Sequence, residues 1–589
     1  MNPATSRNGQ GGFVLLSAVI LIAFLVTLLA TYALMTNAVR STTHSTMESA
    51  RGFYAAEAGL NLRFDDVRKR FEAYGFPAGA PPVELPGQLP CEGPNQGSGD
   101  LGCVRYDFQG RESITFMTAD AANPVAIIVP PGEMFQNLRA DEYRYNIESI
   151  DVKSDDVEAI LNLEMLARLV PMFQFAAFYD KDLEILPGPS MTLDGPVHAN
   201  GDLYMSAGNT LVINGQVTSA GTIYRGRKND DCCSGTDVRV YDPVNPELLP
   251  DGDDGDRYAL TGSDLLPWHG WVRSDVERVA VPPFETLEPN PGEVYWDNAD
   301  LRIVLDLNGA TPEVEVRDAD GNRDDPATTL LDGCAGTAVP SSSFYNHRED
   351  KAIQMLDVDV ALLLDCIQSD NTLMSGRPLD DLTHGGLVWH FTVDGPDSAG
   401  VNDYGVRVTN GADLDSSGAL DPEVRGLTVV TDQAMYVQGN YNSTDKKPAA
   451  FLCDSLNVLS NAWDDLASAG PLAGRIASPT TINAAFLSGT DSTGGAEGTT
   501  GQGGAYNGGL ENYPRFHEDW EDQTLTYRGS FVSLDRPRHV EGLWQDQSYD
   551  PPDRDWGYDT DFNDPANLPP LSPRFLYFRQ EVFARHFQL

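Results

Sequence analysis

The N-terminal end of the chain has the most distinctive pattern of apolar and polar positions. Phe13 through Met35 is a run of 23 residues without a charged side chain, and Arg7 is the only charged residue before it. At a rise of about 1.5 Å per residue, such a run can cross the roughly 30 Å hydrocarbon layer of a bilayer. A secretory signal would instead have a shorter apolar region that ends at a small-residue cleavage site. The pattern predicts a membrane-spanning helix over residues 13–35.

The apolar periodicity continues beyond the predicted span. Seven positions at alternating steps of four and three residues fall on one face of a helix. They are Phe53, Glu57, Leu60, Phe64, Val67, Phe71 and Tyr74. We therefore predict a single helix over residues 13–74. Glu57 is the one carboxylate in this stripe; it is either solvated at the edge of the stripe or makes a packing contact that forms only in an assembly.

After the helix, the chain changes to the patterns of β-strands. In residues 75–172 a short Pro-rich linker leads into alternating segments, which predict a small antiparallel sheet packed on the helix. In residues 173–224 strands of three to five residues alternate with Gly turns, and the same pattern returns over residues 425–488. Such short, evenly spaced strands favour a stacked β-solenoid, with an ordinary β-sandwich as the alternative.

The remaining segments are less regular. Residues 225–424 are loop-rich and acidic, and we interpret them as an insertion or subdomain. Residues 489–509 form a Gly-rich tract that is typical of a flexible loop. Residues 510–589 are rich in aromatic side chains and Pro, and we interpret them as a capping region, because solenoids need terminal caps. The predicted fold class is α+β, with a long N-terminal helix, a small sheet and a large β-rich, solenoid head.

Composition limits the functions of the chain. Its 589 residues are enough for several folding units, and its formal net charge is −47. A protein whose whole surface follows a phosphate backbone needs clustered Lys and Arg. The charge balance therefore argues against that class and leaves only local basic patches for phosphate contacts.

Several features of the N-terminal region together resemble a known family. A short polar leader over residues 1–12 ends at Gly12, Phe13 and the apolar span follow, and RGFYAAEAGL stands at residues 51–60. This combination resembles the type IV pilin-like proteins, specifically the PilX-type minor pilins. The resemblance implies that prepilin peptidase cuts after Gly12 and methylates Phe13 as the mature N-terminus. It also implies a pilin-type helix and a pilin-like head over residues 75–172.

One position departs from the family's pattern. Major pilins carry a Glu at the fifth mature position, which partners the N-terminal amine of a neighbouring subunit inside the filament, whereas this chain has Ser17 there. A buried amine or carboxylate without its partner is costly, so a subunit that lacks this Glu is poorly suited to repeat along a shaft. The alternative is that Glu57 or another group substitutes for it. The long chain beyond the helix also suits a single cap better than a shaft.

The resemblance extends to the second half of the chain and implies partners. The segments FYDKDLEILPGPSMTLDGPVHANGDLYM, GLTVVTDQAMYVQGNYN and YNGGLENYPRFHEDW look like the C-terminal regions of large PilX-type pilus assembly proteins. The implied function is a minor, tip-located subunit of a type IV pilus that serves assembly or adhesion. The implied partners are other minor pilins, the major pilin and prepilin peptidase, together with an unidentified surface or host ligand. The subunit is expected in the inner membrane first and then in the extracellular pilus.

Two alternatives to this function stay open. One is a DNA-capturing competence pilin, and the other is a tip component of a type II secretion pseudopilus. DNA contact would rest on a local group of cations, and no interleaved aromatic platform accompanies that group. Its members are Arg225, Arg227 and Lys228.

One Asp-rich loop has the pattern of a calcium site. Carboxylates at positions 1, 3 and 9, a hydroxyl at position 5, a Gly at position 6 and a backbone carbonyl at position 7 form an oxygen cage that suits a hard cation. The ligand positions are Asp413, Asp415, Ser417, Ala419 and Asp421. The Glu at position 12 of a full EF-hand is missing. We predict Ca²⁺ here, with a plain Asx turn as the alternative, and no other cofactor.

The seven cysteines predict disulfides rather than zinc. Cys91 and Cys103 flank a Gly-rich loop, and in an exported protein a short-range disulfide is expected there. Cys334 with Cys366 is the preferred second bridge. The odd number leaves at least one thiol free or paired between chains, and no Cys-x-x-Cys pair is present to favour zinc.

No sequence pattern indicates catalysis. The chain has no GxSxG elbow, HExxH pair or Walker loop, and its nine His are scattered. His384 and His390 flank an apolar strand, where a structural role is expected. We therefore predict that the chain is not an enzyme.

Overall fold

The computed structural model describes most of the chain. The described residues are 11–72, 75–83, 85–86, 88–108, 110–153, 156–228, 237–241, 246–249, 257–335, 341–415, 423–490, 509–542 and 548–586. The chain divides into two compact units. The first unit comprises Met1–Pro124, Tyr143–Ala167 and Phe578–Leu589, and the second comprises Val125–Glu142 and Arg168–Tyr577. Each unit therefore combines segments that are far apart in sequence.

The N-terminal helix runs over Gly11–Glu72, which confirms the predicted long helix. The segment contains no Pro and is rich in Leu and Ala, which favour helices. Lys69 and Arg70 lie in its last turn, where positive charge interacts favourably with the helix dipole. Among the described residues, this is the one helix that is long and apolar enough to cross a membrane.

The helix of the first unit is accompanied by a sheet. The described strands follow the order Val104–Asp107, Glu112–Ala119, Arg139–Lys153, Asp156–Pro171 and Arg574–His586. The first three of these pair antiparallel. Val125–Ile128, which belongs to the second unit, pairs antiparallel with residues 139–142 of the strand Arg139–Lys153. Gly79–Ala80 and Ser98–Gly99 form a separate antiparallel pair. The sequence predicted an antiparallel sheet here but missed its last strand, which comes from the C-terminal end of the chain.

Parallel strand pairing dominates the second unit. In its largest described sheet every neighbouring pair is parallel except the last. The strand order is Val272–Arg273, Val217–Ser219, Val197–Ala199, Ala177–Tyr179, Phe531–Ser533, Ala485–Ser488, Ala449–Cys453, Leu427–Val430, Leu387–Asp394, Leu301–Asp306 and Glu313–Val316. Its strands are buried almost throughout, as expected for parallel sheets covered on both faces.

Smaller sheets complete the described β-structure of the second unit. A second long sheet has the order Ser341–Asn346, Lys351–Asp359, Tyr404–Thr409, Ala434–Gln438, Ser455–Leu459 and Arg515–Phe516. The others are Met191–Leu193, Thr210–Ile213, Asp237–Tyr241 and Pro246–Leu248; Tyr258–Ala259, Ile223–Arg225, Leu203–Met205 and Leu183–Ile185; and Thr480–Asn483, Thr524–Gly529 and Asp553–Tyr558. Apolar side chains from these sheets form a contiguous core.

Short helices connect the strands of the second unit. The α-helices are Gly262–Leu265, Val294–Asp297, Asp325–Ala335 and Val360–Ser369. The 3₁₀ turns are Met172–Gln174, Leu266–Trp268, Phe284–Leu287, Asn371–Met374, Leu472–Gly474, Leu510–Asn512, Thr560–Asn563 and Pro565–Asn567.

Part of the second unit has a constant pairing offset of 20 residues. Leu183 pairs with Leu203, and Leu203 pairs with Ile223. The turns repeat at the same interval: Asp182 Oδ1 accepts from the Asp202 backbone N at 2.8 Å, and Asp202 Oδ1 accepts from the Thr222 backbone N at 2.8 Å. A Cβ on Gly221 would lie only 2.3 Å from Asp202 Oδ1, so Gly is needed for this carboxylate to reach the next turn.

Two of the predicted segments contribute strands to the largest described sheet. Residues 225–424, predicted as an insertion or subdomain, supply Leu301–Asp306 and Leu387–Asp394, in parallel register with Leu427–Val430. Residues 510–589, predicted as a capping region, supply Phe531–Ser533, which pairs with strands on both sides. The sequence did not predict these pairings, because strand pairing is set by packing between distant segments, which local alternation does not encode.

Candidate assembly site

The predicted processing junction lies at the start of the N-terminal helix. Gly12 and Phe13 are in its first turn, and the Phe13 side chain is 77% exposed. Residues 1–10, which make up most of the predicted leader, lie outside the described residues. Cleavage after Gly12 stays a prediction.

The first half of the N-terminal helix presents an apolar surface that no described part of the chain covers. The side chains from Phe13 to Met47 are exposed except for partly exposed Thr36. The mean hydropathy of the most apolar window is 3.0, and none of that window is buried. Because each large apolar side chain gains about 1.5–3 kcal/mol on burial, this surface stabilises any state in which lipid or another apolar helix covers it.

Ser17 adds no charge to this surface. Its hydroxyl donates to the Phe13 carbonyl one turn earlier at 2.6 Å, so the group is satisfied within the helix. Glu57, the alternative partner for a neighbouring amine, is partly exposed. It forms no hydrogen bond or ion pair with any residue that the structure describes. A carboxylate in this position can accept an external cation.

Small residues let the second half of the helix lie close to the sheet. A Cβ on Gly59 would be 1.9 Å from Ser113 Oγ and 2.8 Å from Ser113 Cβ, distances that atoms cannot adopt. At the same level, Ser149 Oγ donates to the Ala56 carbonyl at 2.7 Å. A Cβ on Gly52 would likewise lie 2.8 Å from a side chain of the sheet. The small residues of the RGFYAAEAGL segment therefore have a packing reason.

The buried side of the helix differs from the predicted stripe. Leu60, Val67 and Phe71 are buried as predicted, but Phe53 and Phe64 are only partly buried. The sheet instead covers the neighbouring small residues, together with Arg63, whose guanidinium donates to the Gly102 carbonyl at 2.8 Å. The periodicity identified a helix correctly but placed its buried face about one residue away, because the predicted stripe follows large apolar side chains and passes over Gly52, Ala56 and Gly59.

A charged cluster lies where the helix first becomes buried. The guanidinium of Arg111 bridges Glu48 and Asp151, and it lies 2.6 Å from Asp151 Oδ2. Lys153 Nζ is 2.5 Å from the same Glu48 carboxylate. Hydrogen bonds from Lys153 and then Arg111 lower the pKa of Glu48 to about 2, whereas burial raises the pKa of Asp151 against the opposing effect of Arg111. Sequence reasoning missed this cluster because its members are separated by up to about 100 residues.

The C-terminal strand packs on the same helix within the first unit. Phe578 contacts Phe64 with ring centroids 5.3 Å apart, and Phe583 contacts Phe53 at 6.3 Å. Arg585 donates to Ser49 Oγ at 2.8 Å. No local signal in residues 578–586 indicates this contact, because it joins the two ends of the chain.

The cysteine predictions have different outcomes. Cys91 and Cys103 form the expected disulfide. Cys366 is also disulfide-bonded, but the side chain of Cys334 lies outside the described residues, so the predicted pair stays a prediction. Cys453 is a buried free thiol.

The predicted calcium loop is described only in part. Asp413 Oδ1 accepts from the Asp415 backbone N at 3.0 Å, whereas Ser417, Ala419 and Asp421 lie outside the described residues. Lys447 Nζ lies 3.2 Å from Asp415 Oδ2 and 3.2 Å from Glu423 Oε2. In the part of the chain that the structure describes, no group of three His, Cys, Asp or Glu is placed to hold a metal. The two described aspartates supply oxygens that fit Ca²⁺, and Lys447 already neutralises one of them.

The cations considered for DNA contact are largely inaccessible. Arg225 is 1% exposed, because it points to the same buried side of its strand as Ile223. Lys228 is 7% exposed and lies 2.7 Å from Asp182 Oδ2. Arg227 is partly exposed. The structure therefore removes two of the three cations from any phosphate-binding surface.

Several titratable groups of the second unit are buried in structural roles. His390 Nε2 donates to the Leu287 carbonyl at 3.0 Å, and burial lowers the pKa of His390 to about 4. Asp432 accepts from Thr392 and Gln433, and burial raises the pKa of its carboxyl. Glu518 accepts from the backbone N of Ser460 at 2.6 Å and from its hydroxyl at 2.7 Å. These contacts hold the buried groups within the fold, although His390 Nδ1 is buried without a hydrogen-bond partner among the described residues.

Comparison of the chain with protein-family models, with curated proteins and with solved structures finds no match.

Proposed function

We propose that the chain is a minor, tip-located subunit of a type IV pilus, processed by prepilin peptidase and serving pilus assembly or adhesion. The observation that carries the proposal is the two-part N-terminal helix. Its first half is apolar and exposed, and its second half packs on a sheet through Gly52, Ala56 and Gly59. Lipid covers the first half before assembly, and the apolar helices of other subunits cover it afterwards.

Charge and size support the proposed position at the tip. Ser17 brings no carboxylate into the helix bundle, so it offers no partner to the amine of a following subunit. The larger segment of the second unit runs from Arg168 to Tyr577. A body of this size suits a single position at the end of the filament better than repeated positions along the shaft. In this proposal residues 75–172 form the pilin-like head.

We propose further that the second unit is built as a β-solenoid. Its parallel pairing and the 20-residue offset between successive strands support this interpretation, because each coil then adds one strand to every sheet. The stacked contacts of Asp182 and Asp202 at successive turns support it as well. A solenoid presents its outer faces and loops to ligands, which suits an adhesive head.

Mass analysis of sheared filaments tests the processing and the location. The N-terminal peptide should begin at a methylated Phe13, and the chain should be substoichiometric to a major pilin in the sheared fraction. The variant Gly12→Val should remain uncleaved in the membrane, whereas Gly11→Val, its neighbouring control, should be processed as usual. An intact N-terminus in a chain that never leaves the membrane would contradict the proposal. Recovery with a secretion pseudopilus instead of the pilus would favour that alternative.

Calcium binding by the Asp413 loop is a separate proposal. Because Lys447 pairs with Asp415 and Glu423, Lys447→Met should tighten Ca²⁺ binding by about tenfold, and Asp413→Asn should weaken it by a similar factor. Lys446→Met is the matched control, because Lys446 pairs with Asp559 and Asp561 instead. Isothermal titration calorimetry of the detergent-solubilised chain measures both effects. Equal Ca²⁺ affinity in all variants would locate any bound Ca²⁺ elsewhere.

A further inference from the structure

Three aromatic side chains of the first unit form an exposed surface, which we call the aromatic ledge. Its members are Phe53 and Tyr54 on the N-terminal helix and Phe583 on the C-terminal strand. The rings of Phe53 and Tyr54 are 5.6 Å apart, and those of Phe53 and Phe583 are 6.3 Å apart. Tyr54 is 66% exposed and Phe583 is 49% exposed. Contiguous exposed aromatic surface on a soluble part of a protein is typical of an interaction site.

Lipid cannot cover the aromatic ledge when the apolar span is in a bilayer. The uncharged run ends at Val39, before Arg40. At about 1.5 Å per residue, Tyr54 lies roughly 22 Å farther along the helix. The interfacial region of a bilayer adds only about 5–8 Å beyond the hydrocarbon on each side. A protein partner is therefore needed to remove this surface from water.

The ledge has an acidic neighbour. Glu57 lies one helical turn after Phe53 and Tyr54, and it is partly exposed. In the described part of the chain it has no ion-pair partner, whereas other carboxylates of the same unit do: Glu48 pairs with Arg111, and Glu112 pairs with Arg105. The guanidinium of Arg585 lies 5.6 Å from the centre of the Phe53 ring and donates to Ser49 Oγ. An aromatic surface beside a carboxylate that has no described ion-pair partner is complementary to a helix that carries both apolar side chains and a cation.

We propose that the aromatic ledge and Glu57 form the docking surface for a helix of another pilus subunit, which presents apolar side chains to the ledge and a Lys or Arg to Glu57. This inference rests on the proposed function and adds to it the face and the chemistry of one contact. The C-terminal strand takes part directly, because Phe583 is one third of the ledge. The helix of the partner then continues along the exposed apolar half of the N-terminal helix.

Photo-crosslinking in cells tests the contact with the full chain. A crosslinking amino acid replaces Tyr54 or Phe583 in the ledge, Leu28 in the apolar span, or exposed Val83 as the control for random encounters. We expect Tyr54 and Phe583 to yield at least tenfold more product with a pilus subunit than Val83 does, in the filament fraction. If Leu28 crosslinks to a pilus subunit while both ledge positions give no more than Val83, or give lipid products, the inference is overturned. If Leu28 also yields no such product, the proposed function fails first.

Charge variants test the role of Glu57 separately. Glu57→Gln should reduce incorporation into sheared filaments about tenfold, and Glu57→Lys should reduce it further, with unchanged amounts of chain in the membrane. Glu112→Gln is the control, because that carboxylate already has a partner in the same chain. The crosslinked peptide locates the Lys or Arg of the partner that faces Glu57. Replacing that cation by an acidic residue should restore incorporation of the Glu57→Lys variant. Wild-type incorporation of Glu57→Gln would contradict the predicted ion pair.

Discussion

At the residue scale, the N-terminal helix depends on positions that lack side-chain bulk. Gly59 faces Ser113 so closely that even one methyl group has no room, and Ser149 bonds to the backbone at Ala56. The sequence shows these residues as a small-residue segment within an amphipathic pattern. Their role in close packing can be recognised only when the facing strand is known, because a hydrophobicity scale treats Gly as nearly neutral.

The same substitution should have opposite effects in two helices. Gly59→Ala should lower the free energy of unfolding of the first unit by on the order of 2 kcal/mol, because the steric overlap exceeds the gain in helix propensity. Gly333→Ala, in the helix Asp325–Ala335, should raise stability by up to about 1 kcal/mol, since nothing lies within 4 Å of the added methyl group. Amide hydrogen exchange by mass spectrometry resolves both segments. Unchanged exchange in the first unit of Gly59→Ala would contradict the predicted overlap.

Loss of a buried cation should lower the free energy of unfolding of the first unit far more than loss of an exposed cation in the same sheet. Arg111→Met leaves the Asp151 carboxylate buried without its counter-ion and should destabilise the first unit by on the order of 3 kcal/mol. Arg105→Met removes an exposed pair with Glu112 and should cost less than about 1 kcal/mol. Hydrogen exchange in Arg139–Lys153 measures both changes. Similar losses of stability in the two variants would show that the buried ion pair contributes no more to stability than the exposed pair.

At the element scale, the least local contact is that of the C-terminal strand Arg574–His586. Its Phe578 and Phe583 pack on the N-terminal helix, and the strand is the last member of the sheet in the first unit. Local patterns predicted the long helix and several of the short strands, but not the shorter α-helices such as Asp325–Ala335 and Val360–Ser369. They did not predict which strands pair, because a short strand of apolar residues fits equally well beside many others.

Removal of the C-terminal strand should destabilise only the first unit. Truncation after Tyr577 should increase amide exchange at least tenfold in Glu112–Ala119 and in the buried part of the N-terminal helix. Truncation after His586 is the control, because it leaves every described residue of the strand in place. Tryptophan fluorescence monitors the second unit alone, since all eight Trp lie between residues 268 and 556. Protection of Glu112–Ala119 equal to that of the intact chain would overturn this prediction.

At the scale of the whole molecule, acidity has two different consequences. The chain has a net charge of −47, and most of the carboxylates that the structure describes are not buried, which favours solubility. A smaller set of acidic groups in the second unit is buried or half-buried, and desolvation raises the pKa of Asp180, Asp432 and Glu518. The buried histidines act in the opposite sense, because burial lowers the pKa of His198 and His390 to about 4. The pH dependence of the free energy of unfolding is therefore the difference between the contributions of the carboxyl groups and those of the histidines.

A single variant isolates one of these contributions. Burial raises the pKa of Glu518 to about 7 from an ordinary value of 4.5, so the folded state binds its proton more tightly than the unfolded state. The stability that this group contributes is present below pH 4.5 and is lost as pH rises to about 7. Between these limits the stability of wild type relative to Glu518→Gln should fall by on the order of 3 kcal/mol. Denaturation followed by Trp fluorescence from pH 4 to 8 measures the difference.

The matched control for this experiment is Glu521→Gln, which makes the same change of side chain at an exposed position. A constant difference between wild type and Glu518→Gln across the whole range would show that Glu518 titrates as an ordinary carboxyl in the folded protein.

The sequence by itself determined the features that depend on neighbours along the chain. Helix periodicity, the uncharged run from Phe13 to Met35, the short strands with their turns, and the Cys91–Cys103 disulfide all arise from residues a few to a dozen positions apart. Such features have local causes: backbone propensity, side-chain spacing and the short reach of a small loop. The predicted calcium loop also depends on residues close together in sequence. The proposed function rests on such local sequence patterns as well.

Only the tertiary structure decided the features that depend on distant segments. It brought Glu48 to Arg111 and Phe583 to Phe53, and it joined residues 301–306 and 387–394 to the same sheet as residues 427–430. It also buried Arg225, which the sequence had offered as a surface cation. The physical reason is common to all of them: burial and charge pairing depend on which surfaces meet in space, and that choice is made by packing over the whole chain.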